Sequence, residues 1–170
     1  MKHHFVMLAA YNRWANARLF DAAAKLPDAD YRRDVGAFFH SMHGTLNHVL
    51  AADRIWMRRF TGEGEAPKRL DAVLFEDFGD LRTARQAEDQ RILHYVSRLK
   101  DAALESDFTY TPVTNPQPVT QRLSPALTHF FNHQTHHRGH AHMILSVLRR
   151  DPPPLDLIHF QRSGEGAAFA

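Results

Sequence analysis

Cysteine is absent from the 170 residues of the chain. A disulfide framework and a thiolate metal site are therefore excluded, and any bound metal must be held by nitrogen and oxygen ligands. A chain of this length can bury a core without disulfides and falls within the usual size of one domain. We expect a single domain over residues 1–160, followed by a flexible tail over residues 161–170, in a cytoplasmic protein.

Long apolar runs and an excess of charge of one sign are also missing. No stretch approaches the ~18 apolar residues of a membrane span, and the N-terminal MKHHFVMLAAYNRW lacks the cleavage site of a secretory signal. The 21 basic and 19 acidic residues leave a net charge of +2, too balanced for a nucleic-acid footprint. We therefore expect neither membrane insertion nor nucleic-acid binding.

Four segments carry apolar residues at helical spacing. These predicted helices cover residues 5–26, 36–60, 76–104 and 125–150. Two short β-prone stretches within residues 107–122 predict a hairpin or an irregular excursion before the last helix. Prolines at 152–154 end that helix, and we expect an extended segment after them. Helices of roughly 20–27 residues are about 30–40 Å long, which favours an all-α, antiparallel four-helix bundle.

Histidine, with 13 copies, is the residue type that stands out. Five of them lie between Phe130 and His142, in the sequence FFNHQTHHRGHAH. On a helical wheel, five histidines of the last helix fall within about 100° of one another, together with apolar residues such as Ile144 and Leu148. These are His129, His133, His136, His137 and His140. We expect them to face inwards, where each ring nitrogen needs a hydrogen-bond partner or a metal ion.

Histidines at positions i and i+4 of a helix point to one site above it, as in the H-E-x-x-H motif of metalloproteases. The last helix offers three such pairs, and spacing alone does not choose among them. The pairs are His129/His133, His133/His137 and His136/His140. The run HQTHH lacks the glutamate of H-E-x-x-H, which excludes a protease of that type.

His48, in the second predicted helix, is surrounded by small residues. It shares its helix face with Ser41, Gly44, Thr45 and Ala52. This strip leaves space beside the imidazole, either for the close approach of another helix or for a pocket and its ligand. A core histidine that is hydrogen-bonded to the hydroxyl of Thr45 is the competing interpretation.

The sequence around these histidines resembles a known family. LNHVLAADRIWMRRF, which contains His48, and NHQTHHRGHAHMIL are similar to segments of the DinB-like family of predicted metalloenzymes (damage-inducible, also called YfiT-like). The tail DPPPLDLIHF resembles the ending of that family, and the likeness runs from Tyr11 to Phe160. The resemblance implies an antiparallel bundle that binds one divalent metal ion through His48, His133 and His137.

The resemblance also implies a function. Three neutral imidazoles leave at least one coordination position open, as in catalytic zinc sites. Characterised relatives include metal-dependent transferases and isomerases that use a low-molecular-weight thiol, which implies thiol-dependent transfer on a small substrate. Metal-assisted hydrolysis is the alternative reaction, and a non-catalytic metal-binding stress-response protein is the alternative class. Imidazole suits several metals, and we expect zinc or nickel first, then iron or manganese.

His140 is a departure from the family, which often has glutamine at this position. It is therefore a candidate base, an extra ligand or a partner of a ligand, and no catalytic residue follows from the sequence. The family resemblance also implies a homodimer formed through bundle helices. Trp14, Phe38 and Phe39 agree with it, because one small core does not fully cover so many aromatic side chains.

Overall fold

The computed structural model describes residues 1–113 and 115–170, and these residues are mostly helical, as expected. In chain order the elements are α1 (Lys2–Ala23), α2 (Asp28–Arg32), α3 (Met42–Thr61), α4 (Phe78–Arg98), α5 (Asp101–Leu104), β1 (Asp107–Tyr110), β2 (Val119–Arg122), α6 (Leu123–Val147) and α7 (Leu157–Gln161), with a final 3-10 turn at Ala167–Phe169. None of the described helices is long and apolar enough to cross a membrane.

Capping side chains set where the second and third long helices begin. The Oγ of Ser41 accepts a hydrogen bond from the backbone N–H of Gly44 at 3.1 Å, which starts α3 at residue 42. The predicted start at residue 36 is wrong, because residues 37–40 form a tight turn closed by a β-bridge. At its other end α3 stops at Gly62, whose φ of 74° suits a helix C-cap. Likewise α4 ends at Leu99, where the backbone is extended, so the predicted helix over 76–104 is divided in two.

The four long helices contact one another in a closed ring: α1 with α4, α4 with α3, α3 with α6, and α6 with α1. Helices α1 and α4 run antiparallel, since Phe20 near the end of α1 stacks on Phe78 at the start of α4. Helices α3 and α6 are also antiparallel, since Trp56 late in α3 contacts His129 early in α6.

Two neighbouring pairs run parallel, which differs from the antiparallel arrangement expected throughout. Phe60 and Tyr95 stack near the C-terminal ends of α3 and α4. Phe5 and Phe131 stack in the N-terminal parts of α1 and α6. The long connection over residues 62–77 makes this possible, because it carries the chain back to the end of the ring at which α3 began.

Apolar clusters fill the two ends of the ring. One contains Leu46, Leu50, Leu81, Ile144 and Leu148, and the other contains Met57, Ile92, Leu127, Phe130 and Phe131. Between them lies a layer of buried polar and charged side chains, which we call the central polar network. Its members are each no more than 3% exposed: Asn12, Asn16, Asp53, Arg85, Asp89, Gln134 and Arg138.

The segment between α5 and α6 forms the hairpin that was one of the two predicted alternatives. Strands β1 and β2 pair antiparallel, with Asp107 opposite Arg122 and Tyr110 opposite Val119. Thr114, which belongs to the same predicted segment, lies outside the described residues. The hairpin leads directly into α6 and brings Tyr110 against Trp56 of α3, with 5.0 Å between the ring centroids.

The chain after α6 folds back onto α1. Phe160 in α7 is 1% exposed and packs against Tyr11 and Trp14. Tyr11 and Trp14 are therefore buried in one apolar cluster, so Trp14 does not offer an exposed surface to a second copy. The extended conformation expected here is wrong for residues 157–161, because burial of Phe160 favours the helical turn that directs it inwards.

Candidate metal centre

Three histidines from α3 and α6 converge at one side of the ring. His48, His133 and His137 each offer a ring nitrogen, and these nitrogens all lie within 4.8 Å of one another. The ring centroids of His48 and His133 lie 4.3 Å from that of His137 in each case. The structure thus brings together the three residues that the family resemblance implied as ligands.

A second histidine group overlaps with the first. His136, His137 and His140 also place ligand atoms within 4.8 Å of one another. All three come from α6, and His136 is exposed. The group that includes His48 joins two helices and is the more deeply buried, so it is the better candidate for a metal centre.

A backbone carbonyl determines the proton position on His48. The Nδ1 atom lies 2.7 Å from the carbonyl oxygen of Leu70, which can only accept, so Nδ1 carries the hydrogen. The buried Nε2 then keeps its lone pair, and it has no hydrogen-bond partner among the described residues. The hydrogen bond to Thr45 considered from the sequence is wrong, because the Thr45 hydroxyl donates to the carbonyl oxygen of Ser41. A carbonyl that orients a ligating imidazole in this way is common in metal sites.

The small residues beside His48 accommodate a backbone turn. A Cβ atom on Gly44 would collide with the carbonyl oxygen of Phe39, so glycine permits the turn to approach α3 closely. Phe39 in turn stacks on the His48 ring with 3.7 Å between centroids. Phe39 thus fills the space next to Ser41, Gly44 and Thr45, so the pocket that was one of the two alternatives there is wrong, and a turn rather than another helix makes the close approach.

Burial keeps the site imidazoles neutral. Together with a smaller contribution from the neighbouring histidines, burial lowers the pKa of His133 to about 4 and that of His137 to about 3. The pKa of His48 is lowered as well, mainly by burial. Neutral imidazole is the form that binds a metal ion. In addition, the Nδ1 of His137 is buried without a hydrogen-bond partner among the described residues.

Not all the histidines of α6 face inwards, contrary to the sequence prediction. His129 and His136 lie on the exposed side, whereas His137 is buried. The inward positions next to His137 belong instead to Gln134 and Arg138. Both are residue types usually found at surfaces, and their burial shifts the inward face relative to the apolar pattern.

The central polar network fixes α6 between its two site histidines. Gln134 follows His133, and its Nε2 donates to the Oδ1 of Asp53 at 2.9 Å. The other carboxylate oxygen of Asp53 accepts from Arg85 of α4 at 2.5 Å. Sequence reasoning missed these residues, because buried polar and charged side chains that are distributed over several helices leave no local pattern.

A cavity of about 230 Å³ opens beside His133. Its walls include Trp56 of α3, Tyr110 of the hairpin and Leu70, whose carbonyl orients His48. The cavity therefore adjoins the histidine cluster at His133, and it could admit a small molecule.

The chain is thus a mostly helical protein with a buried histidine cluster that is compatible with metal binding. A family model described as the DinB family matches residues 1–166, and the chain belongs to this family. The family expected from the sequence is thus confirmed. Over 152 residues the chain is 28% identical to Protein DinB of Bacillus subtilis (strain 168), a match that covers 84% of this chain and 83% of that protein. It is also similar to the crystal structure of a DinB-like protein from Bacillus cereus ATCC 10987, with a TM-score of 0.63 and 15% identity over 83% of this chain and 90% of that one. At 15% identity the likeness supports the fold alone.

Proposed function

We propose that this protein is a metal-dependent enzyme that binds one divalent metal ion through His48, His133 and His137 and carries out thiol-dependent transfer on a small molecule. One observation carries the proposal: three neutral imidazoles from two helices converge beside a cavity, and the buried His48 Nε2 has no other partner among the described residues. A set of nitrogen donors favours zinc or nickel, with iron or manganese as alternatives.

Nitrogen donors that converge from two helices fit a metal ion, and the cavity beside His133 supports a side open to substrate. A divalent ion held by three imidazoles would supply a Lewis acid that lowers the pKa of a thiol or a water molecule. The Leu70 carbonyl holds His48 in the ligating tautomer, and Phe39 covers one face of that ring. His140 lies 5.1 Å from His137 between ring centroids, and its Nδ1 has no hydrogen-bond partner among the described residues. His140 is therefore our candidate acceptor for the substrate proton.

Metal-assisted hydrolysis would use the same ligands, and a purely structural metal is the remaining alternative. The cavity beside His133 favours an enzyme, because structural zinc sites are closed by a fourth protein ligand. Two apolar clusters and the central polar network also join the four long helices without help from a metal. We therefore expect the fold to persist after chelation, whereas a structural site predicts unfolding.

Elemental analysis of protein purified without an affinity tag tests the ligand set. Alanine at His48, His133 or His137 should each sharply reduce bound metal, because two imidazoles remain. His129→Ala is the matched control and should keep one metal per chain. His136→Ala separates the two overlapping groups, since only the group confined to α6 needs it. Full metal content in all three ligand variants would show that the assignment is wrong.

Titration of cobalt-substituted protein with small thiols tests the open position. Thiolate binding changes the visible absorption of cobalt. We expect this change in the wild type and in His140→Gln, which introduces the glutamine often found at this position in relatives. His140→Gln should slow turnover if His140 accepts a proton. No spectral change in either protein, together with unfolding on chelation, would favour the structural alternative.

A further inference from the structure

Arg59 lies on the wall of the cavity beside His133. Its guanidinium carbon is 4.6 Å from the ring centroid of Trp56 and 4.8 Å from that of Tyr110, so the charged group is held between two aromatic rings. Its Nη2 also donates to the carbonyl oxygen of Thr111 at 3.1 Å. Contacts from α3 and from the hairpin segment thus fix this cation in place.

The charge of Arg59 has no carboxylate partner among the described residues. Arg59 is half-buried, and this burial lowers the pKa of its guanidinium. His129, on the same wall, stays neutral near pH 7, since partial burial and then the charge of Arg59 lower its pKa. An arginine has five N–H donors, and only one of them is used here by a described residue. A desolvated cation with free donors is complementary to an anion.

Arg59 and the candidate metal ligand His133 line the same cavity, and together they specify a ligand. We propose that Arg59 binds a carboxylate of the substrate, so that the site takes small anionic thiols whose sulfur lies towards His133 and whose carboxylate lies against Arg59. The rings of Trp56 and Tyr110 provide the apolar wall along which the connecting carbon atoms pack. This inference rests on the proposed function, because it names the substrate class of the same site.

Two nearly isosteric thiols separate charge from size. The cobalt-substituted protein is titrated with 3-mercaptopropionate and with 3-mercaptopropionamide, and the ratio of the two dissociation constants is measured from the visible absorption. We expect the anion to bind about tenfold more tightly in the wild type, as for one charge-assisted hydrogen-bonded pair. In Arg59→Met, which keeps the apolar stem, the two constants should agree within about twofold. Comparing this ratio between proteins cancels any difference in thiol acidity.

Arg58→Met is the matched control. Arg58 is the adjacent residue, is exposed and donates to the carbonyl oxygen of Gly64, away from this cavity. The control removes the same charge and should keep the wild-type ratio, and Arg59→Lys should keep part of it. Equal ratios in Arg59→Met and the wild type, or a loss of preference in Arg58→Met as large as that in Arg59→Met, would overturn the inference.

A metal-independent readout distinguishes failure of this inference from failure of the proposed function. In Trp14→Phe protein, Trp56 is the remaining tryptophan and contacts Arg59, so its fluorescence reports on the cavity. Butyrate should give a saturable change that butyramide and Arg59→Met do not show. If both thiols bind equally and butyrate has no effect, the proposed function stands and the Arg59 inference is wrong. If butyrate binds through Arg59 but neither thiol alters the cobalt spectrum, carboxylate recognition stands and thiol chemistry at the metal is refuted.

Discussion

Replacing Asp53 by asparagine tests how much the central polar network stabilises the fold. Asp53 is 1% exposed, and its carboxylate accepts hydrogen bonds from Arg85 at 2.5 Å and from Gln134 at 2.9 Å. The amide of Gln134 can turn to accept from the introduced asparagine side chain, because its Oε1 has no hydrogen-bond partner among the described residues. The loss therefore falls on the ion pair with Arg85. Removing one partner of a buried ion pair costs about 3–5 kcal/mol. In the variant, the Nη2 of Arg85 still lies 3.0 Å from the Oδ1 of Asp89. We therefore expect a loss of unfolding free energy at the lower end of this range, about 3 kcal/mol.

Urea unfolding with a chelator present measures this change without a contribution from metal. The matched control is Asp21→Asn, which removes an ion pair between Asp21 and Arg82 in which Asp21 is 60% exposed. Exposed pairs contribute about 0–1 kcal/mol, so the control should unfold nearly as the wild type does. Burial raises the pKa of Asp53, and the neighbouring Arg85 opposes that shift. If Asp53→Asn costs no more than Asp21→Asn, the carboxyl group is neutral in the folded protein and our reasoning about a buried ion pair is refuted.

Three further outcomes follow from the structure. Gly44→Ala should destabilise the fold by about 1–3 kcal/mol in urea unfolding, because the new methyl group collides with the backbone of Phe39. The control Gly139→Ala places its methyl group in open space on α6, so it should be neutral or stabilise the fold by up to about 1 kcal/mol. Metal affinity, measured by chelator competition, should vary little between about pH 8 and pH 6. It should fall as the pH drops towards the lowered pKa of His137 at about 3, because protons then compete with the metal for the neutral rings. A steep decline of affinity already near pH 7 would contradict the lowered pKa values. A homodimer remains our proposal, and of Trp14, Phe38 and Phe39 only Phe38 still supports it, because Phe38 is 80% exposed. Sedimentation at micromolar concentration should show a dimer, and Phe38→Ser should dissociate it. A wild-type species of 19.5 kDa would refute the proposal.

The sequence predicted those features that depend on local pattern or on a motif. Helical periodicity located the four long helices, with errors at the ends where a cap such as Ser41 or a break at Leu99 decides the boundary. The family motif named the three histidines that the structure brings together. The relative directions of the helices were not predictable from periodicity, because the connection over residues 62–77 allows α4 to run either way along α3.

Contacts between segments distant in the chain account for what the sequence could not predict at the site. Leu70 comes from a loop without a regular pattern, yet its carbonyl orients His48. Phe39 precedes α3 and covers the same ring, although the aromatic pair at 38 and 39 suggested an exposed surface. Arg59 is one of 21 basic residues in the sequence, and it contacts Tyr110 only because the hairpin packs against α3. Each of these contacts depends on the tertiary fold, which no residue spacing within one helix encodes.

Helices α3 and α6 carry the candidate ligands and also the buried hydrogen bond that holds the two helices together. Asp53 lies little more than one turn beyond His48, and Gln134 lies between His133 and His137, so the hydrogen bond from Gln134 to Asp53 spans the same pair of helices as the histidine cluster. Asp53 also accepts a hydrogen bond from Arg85, so α4, which contributes no candidate ligand, helps to hold Asp53 and therefore α3 in position. A metal ion bound by the histidine cluster would meet a preorganised site, since the geometry of the cluster depends on buried contacts that need no ion. Preorganisation of this kind agrees with a catalytic metal rather than one on which folding depends.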